Sequence, residues 1–223
     1  MRSILTTLTL ASLVLAAPMA AHAAPEKTAE TNAETKKAAG PTALETFKAS
    51  HESVDKLVDG GADDKALEAA VDSLLDYDWI AKAALGGAKK FDKRCGERCG
   101  EFTDLLTKLI RRNYLKRIAA KDNGTVVVIR EETRTRKGKV IAKVDTVVTF
   151  TAPDDGRPQT LEVSYIMHEV DGTWQVRDML TDGLSLAKTW KFDFSELHKE
   201  GGIDLVISRL EAKLAEVDEL AKN

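Results

Sequence analysis

The chain is poor in the residue types that most often announce a chemistry. Two cysteines in 223 residues are too few for a disulfide-dense scaffold, and without a paired His at the required downstream spacing they do not make a zinc finger. Positive charge is not in excess: 33 Lys and Arg stand against 36 Asp and Glu, a net charge of −3, which argues against nucleic acid as a partner. No G-x-x-x-x-G-K-[ST] occurs, so the chain carries no P-loop for nucleotide hydrolysis. Only one apolar run is long, Ile4 to Ala17, and it falls short of the roughly 20 residues a membrane-spanning helix needs. No internal repeat is present.

That run has another use. It follows Met1-Arg2 and precedes Ala21-His22-Ala23, the charged start, apolar middle and A-x-A end of a secretory signal peptide over residues 1–23. No cysteine lies at the cleavage point to carry a lipid anchor. The expectation is a soluble exported protein. Residues 24–43 are Ala, Glu, Lys, Thr and Pro with little apolar content, the composition of a flexible tail. Residues 44–223 remain, a length that suits one domain with its own core.

Helical spacing comes first. Phe47, Val54 and Leu57 lie on one face from Thr46 to Asp59 before Gly60-Gly61, and Leu67, Val71, Leu74 and Leu75 on another from about Asp63. Phe102, Leu105, Leu106, Leu109, Ile110, Tyr114, Leu115 and Ile118 mark a long helix closed by Asn123-Gly124. The period then changes to two. β-Branched runs start at Val126 to Ile129 and recur at Val140–Phe150, Leu161–Val170 and Thr173–Leu180, joined by turn-rich links at 134–139, 152–159 and 171–172. Short links predict antiparallel neighbours. Two helices follow, about Leu184 to Lys199 and Ile203 to Ala221. Helices, a four-strand meander and helices again predict an α+β fold with one strongly curved antiparallel sheet covered by helices on one side.

The segment from Trp174 to Leu210 resembles a known family. Trp174, Val176 and Asp178 fill a W-x-V-x-D pattern; Gly183, Ser185 and Leu186 fill G-x-S-L; Trp190-Lys191, Phe194, Gly201-Gly202 and Leu210 complete it. Upstream, Tyr77, Asp78, Trp79, Ala83, Leu85 and Gly86 match a second motif in kind, whereas Gly87 to Lys90 depart from the family's usual G-R-Y-W. The resemblance, over about residues 44–215, is to the periplasmic phospholipid-binding auxiliary component of the Mla (maintenance of lipid asymmetry) ABC transport pathway, also called the toluene-tolerance family. It implies an NTF2-like or cystatin-like half-cone whose sheet and helices enclose an apolar cavity, a location in the periplasm, and no enzymatic activity. It also implies phospholipid as cargo with no cofactor, and as partners an inner-membrane ABC transporter complex and an outer-membrane lipoprotein or porin complex.

Wall residues for such a cavity are those on one strand face, Val148, Phe150, Val163, Tyr165, Met167, Trp174 and Val176, with Leu105, Leu109 and Ile118 opposite. Periodicity alone reads the same residues as a filled core; the resemblance is what makes them a lipid wall. Met167 suits either role, since a thioether adapts to variable shapes.

The remaining groups have competing readings. Cys95 and Cys99, in RCGERCG, read as a disulfide in an oxidising compartment if their Cα atoms fall within reach. Gly183-Leu184-Ser185-Leu186-Ala187 nearly spells a nucleophile elbow, but the final Gly is absent and the strand before it is antiparallel, so Gly183 and Ser185 read as turn and cap. At period two Asp178 shares a face with Trp174 and Val176. It could then be a general base at the edge of an apolar cavity in an NTF2-like enzyme for an apolar small molecule, or a structural acceptor for the turn that follows. Arg134, Arg136, Lys137 and Lys139 form a basic hairpin tip, and Lys188 and Lys191 a second basic group; such charges are either solvated or steer toward anionic headgroups and acidic partners. A ligand-free exported interaction module is the third alternative.

Overall fold

The structure is a computed structural model that describes residues 40–119, 125–151 and 156–220. The signal peptide, most of the 24–43 tail and Asn123-Gly124 lie outside the described residues. The folded part begins earlier than residue 44: α1 (Ala43–Asp59) is opened by Thr42, whose hydroxyl accepts from the Glu45 amide while the Glu45 carboxylate accepts from the Thr42 amide, a capping box. The Pro41 carbonyl accepts from the Trp174 indole at 3.1 Å, and Glu131 accepts from the Leu44 amide at 3.0 Å. These bonds seat the start of α1 on the sheet.

α2 (Asp64–Leu74) and α3 (Tyr77–Ala84) are capped by Asp63 and Asp76. A short helix that sequence periodicity does not show, α4 (Ala88–Cys95), precedes a 3-10 turn and the long α5 (Cys99–Ala119). Cys95 ends the one helix and Cys99 starts the other; they form a disulfide with Cα atoms 4.8 Å apart.

The sheet has five strands, not four, in the order β1 (Thr125–Arg136), β2 (Lys139–Thr151), β3 (Pro158–Val170), β4 (Thr173–Thr181) and β5 (Leu184–Ser185), all antiparallel. β1 runs further than the basic stretch at 134–139 predicts, leaving Lys137-Gly138 as the whole turn. Lys137-Gly138 (φ 52 and 75), Asp171-Gly172 (φ 49 and 81) and Asp182-Gly183 (φ 49 and 79) are two-residue turns with positive φ at both positions, the geometry that matches strand twist. The last of these creates β5. A two-residue strand has no periodicity to read, which is why the sequence does not reveal it. The far side of β4 is also closed by Leu75, in a parallel bridge to Val176, with the Asp76 amide donating to the Val176 carbonyl at 2.9 Å.

α6 (Leu186–Leu220) spans both expected C-terminal helices and breaks at Gly201-Gly202. Gly202 has φ 65, and a Cβ on Gly201 would stand 2.8 Å from the Leu205 Cβ, so neither position accepts a side chain at ease.

The apolar interior is in two pieces. One joins α3, α4, α5 and α6 through Ile80, Ala84, Leu85, Phe91, Phe102, Leu106, Phe194, Val206 and Ile207. The other joins Ala43 and Phe47 of α1 to Ala142, Val144, Met167, Trp174 and Val176 of the sheet. The helices therefore do not form one layer over the sheet. α1 covers part of one face, while α6 meets the sheet at β4 and β5.

On the opposite face a charged group is fixed. Asp145 accepts from Lys143 (2.7 Å), Arg130 (2.8 Å) and Ser164 (2.6 Å). Burial pushes its pKa upward, but these hydrogen bonds outweigh it and hold the carboxyl at about 2, below the ordinary 3.8. A depressed folded pKa contributes stability that is present above the ordinary value and lost as pH falls through the folded one. The expected result is a decline in unfolding midpoint between about pH 4 and pH 2, with Asp145→Asn removing that part of the acid limb. Equal acid limbs in the two proteins would contradict it.

Candidate functional site

Strand register decides which predicted wall residues meet. Val144 pairs with Tyr165, Ala142 with Met167, Thr146 with Val163, Val148 with Leu161 and Phe150 with Gln159; Met167 pairs in turn with Val176 and Glu169 with Trp174. Paired positions share a face and alternate positions along a strand share it too. Val148, Phe150, Val163, Tyr165, Met167, Trp174 and Val176 therefore all lie on one face, as alternation predicts. Val126, Val128, Leu161 and Met179 join them by register.

This face has two halves. At one end the Phe47 ring lies tilted 4.5 Å from that of Tyr165, and α1 packs on Ala142, Val144, Met167, Trp174 and Val176 in a buried core. At the other end Val126, Val148, Phe150 and Leu161 are only half-buried, and Leu184, beyond Thr181 on β5, is 74% exposed. Val54, Val71, Leu115 and Val163 are buried yet fall outside both cores. The wall expected opposite is placed differently. Leu105 and Leu109 pack in the helical core, because the broad apolar face of α5 meets α3 and α6 before it meets the strands. The Ile118 side chain lies outside the described residues. What α5 brings toward the sheet is Tyr114, close enough for Tyr165 and Asp55 to act on it. Burial chiefly, with those two neighbours, pushes its phenol far above the usual range. Tyr114 was legible only as one more apolar-face residue of a helix.

Asp178 leaves the Trp174 and Val176 face. The β3–β4 ladder slips between Ile166 and Met167: Ile166 pairs with Asp178 but Met167 with Val176, so Arg177 is an extra, bulged residue. One extra residue reverses the phase of the strand, and Asp178 turns to the other face. Its Oδ1 accepts from the Met179 and Ala187 amides, both at 2.9 Å, and its Oδ2 from the Ser185 hydroxyl at 2.6 Å. Ser185 in turn accepts from the Lys188 amide at 3.1 Å and caps α6. His198, which follows Ser185 in sequence, stands with Nε2 3.1 Å from the Arg94 carbonyl oxygen and not at Ser185. Asp178 and Ser185 thus tie β4 to the start of α6.

Two clefts, of about 320 and 220 Å³, open away from this face, and no predicted wall residue lines either. Lys188 and Lys191 are exposed on α6 and Arg134 at the hairpin tip is 85% exposed. Among the described residues no three His, Cys, Asp or Glu side chains gather as a metal site, and no helix is long and apolar enough to cross a membrane.

Fold and site together define a class: an α+β protein with an antiparallel sheet that presents one apolar face. A family model described as MlaC protein matches residues 44–212, and the chain belongs to that family, the one its W-x-V-x-D segment resembles. Its fold is similar to that of the phospholipid-binding protein from Ralstonia solanacearum, solved in complex with a phospholipid, at TM-score 0.62 and 21% identity over 80% of this chain and 99% of that one. No curated protein matches the chain.

Proposed function

We propose that the chain is a periplasmic carrier that moves phospholipid between an inner-membrane ABC transporter complex and an outer-membrane complex by burial and release. The observation that carries this reading is the half-buried end of the apolar face, where Val126, Val148, Phe150 and Leu161 continue past the sealed core and join neither cluster. Membership of the MlaC family and the likeness to a phospholipid-bound fold support it. An acyl chain exposed to water costs about 0.8 kcal/mol per CH₂. For two chains that rises to roughly tens of kcal/mol, and lipid crosses an aqueous compartment only if a protein covers it. Chains enter between the second half of α1, the Tyr114 end of α5 and the open half of the face, where a widened space is lined by Val, Leu and aromatic side chains while the headgroup stays wet. Partners drive release only if they bind the open and closed arrangements with different affinity.

Protein purified under mild conditions from the compartment it is exported to is expected to carry phospholipid detectable by extraction and mass spectrometry. An empty protein would count against the carrier. Asp178→Asn is expected to weaken the β4–α6 tie by about 1–2 kcal/mol and to leave lipid content unaltered. Lipid lost from a folded Asp178→Asn protein would return Asp178 to the ligand site.

A further inference from the structure

The β4 bulge has a second effect, on Arg177 itself. Its guanidinium lies 4.9 Å over the Trp79 ring, its Nε is buried without a hydrogen-bond partner, and among the described residues it has no salt bridge. The carboxylates that act on it are otherwise engaged. Asp76 accepts from the Trp79 amide at 2.8 Å and stands 2.8 Å from His168 Nε2, and Asp178 holds Ser185, Met179 and Ala187. Burial pulls the pKa of Arg177 below its ordinary value; Asp178 and Asp76 oppose this and the positive charge of Arg136 adds to it. A half-buried, uncompensated guanidinium with its fork held by an aromatic plane is prepared for a planar or tetrahedral oxyanion.

Arg177 lines the larger cleft, about 320 Å³, together with Gly138, Lys139, Val140, His168, Glu169, Asp171 and Gly172. This volume is at the lower end of small-ligand sites. His168 pairs with Ile141 and Gln175 and so faces away from Met167, while Glu169, paired with Trp174, is on the apolar face at its sealed end. The cleft lies at the hairpin end of the strands, away from the half-buried end where Val148 and Leu161 pair. The cleft carries both signs, Lys139 and Arg177 against Asp171 at the turn, with Glu169 at its rim on the other face of the sheet. A bare phosphate would meet a carboxylate as well as the cations. A ligand with a phosphate and an amine can match both.

We propose that the cleft between the Lys137-Gly138 and Asp171-Gly172 turns binds an amine-bearing phosphate ester, with Arg177 holding the phosphate, Lys139 assisting, and Asp171 facing the ammonium. The chemistry is that of phosphoethanolamine, whether as a free ester or as the headgroup of a membrane lipid.

The test is a phosphorus NMR titration of the exported protein with O-phosphoethanolamine and, separately, inorganic phosphate. The unsubstituted protein is expected to saturate with phosphoethanolamine and to bind inorganic phosphate about tenfold more weakly; Arg177→Gln should weaken phosphoethanolamine binding about tenfold or more, and Lys139→Ala less. Arg177→Lys keeps the charge without the fork and should fall between. Flotation with phosphatidylethanolamine vesicles then separates the sources. Retention that Arg177→Gln abolishes assigns a lipid headgroup, and soluble binding without retention assigns a free ester. Absence of saturable binding, or an Arg177→Gln protein with unchanged melting and unchanged affinity, overturns the site. Equal affinity for inorganic phosphate overturns the amine-binding role of Asp171.

Discussion

A Val148→Trp protein is expected to fold and to lose about nine-tenths of its bound phospholipid, while Val147→Trp, one residue away, keeps it. The two positions differ only in phase. Val148 pairs with Leu161 and Val126 on the apolar face, and Val147 with Glu162 and Val127 on the other, where Val127 is already 53% exposed. Both valines are half-buried, so neither indole has to enter a sealed core. An indole at 148 would occupy the volume that an acyl chain takes between the sheet and α1, and interiors packed near crystal density leave no room for both. Extraction followed by phospholipid quantification per mole of folded protein reads the difference. Undiminished lipid in Val148→Trp would remove this face from the binding region. If the space were instead an ordinary filled core, Val148→Trp would be overpacked and lose about 1–3 kcal/mol of stability, which denaturant unfolding separates from loss of lipid alone.

Phe102→Ala is expected to destabilise the protein by about 3–5 kcal/mol, a large share of the roughly 5–15 kcal/mol that holds a domain folded. Phe102 has no exposed surface. Its ring meets Phe91 at 6.3 Å and Phe194 at 5.6 Å, both edge to face, so it links α4, α5 and α6 at once. Removal leaves a cavity bounded by helices that the Cys95–Cys99 disulfide keeps from closing freely. Val127→Ala, at an exposed position, should change stability by no more than about 0.5 kcal/mol. Urea unfolding of the three proteins checks the ordering, and a Phe102→Ala loss below about 1 kcal/mol would show that the helical core is not packed around that ring.

Where the reading of the sequence succeeded, the signal was local. The seven strand residues from Val148 to Val176 share a face because side chains alternate with period two, a property of the extended backbone that needs no tertiary information. Gly183 and Ser185 act as the turn and cap that their positions announce. The errors have a common physical origin. Asp178 continues the alternation of Trp174 and Val176 on paper, but a bulge changes the count, and whether a ladder admits an extra residue depends on the strand it pairs with. Leu105 and Leu109 are apolar and correctly spaced, yet a helix face states only that it is buried, not which neighbour buries it. α4 was hidden by a run of Lys and Arg in which only Phe91 and Cys95 are buried.

By itself, then, the amino-acid order determined the succession of helices and strands, the residues on each face and the family, because these follow from backbone periodicity, cap chemistry and motif. The tertiary structure alone decided that the apolar interior divides in two, that α1 rather than the long helix covers the sheet, and that the bulge sends Asp178 to a cap and leaves Arg177 unpaired over Trp79. Those outcomes depend on pairing and packing between segments far apart in the chain, where small differences in fit select among partners that are equally apolar.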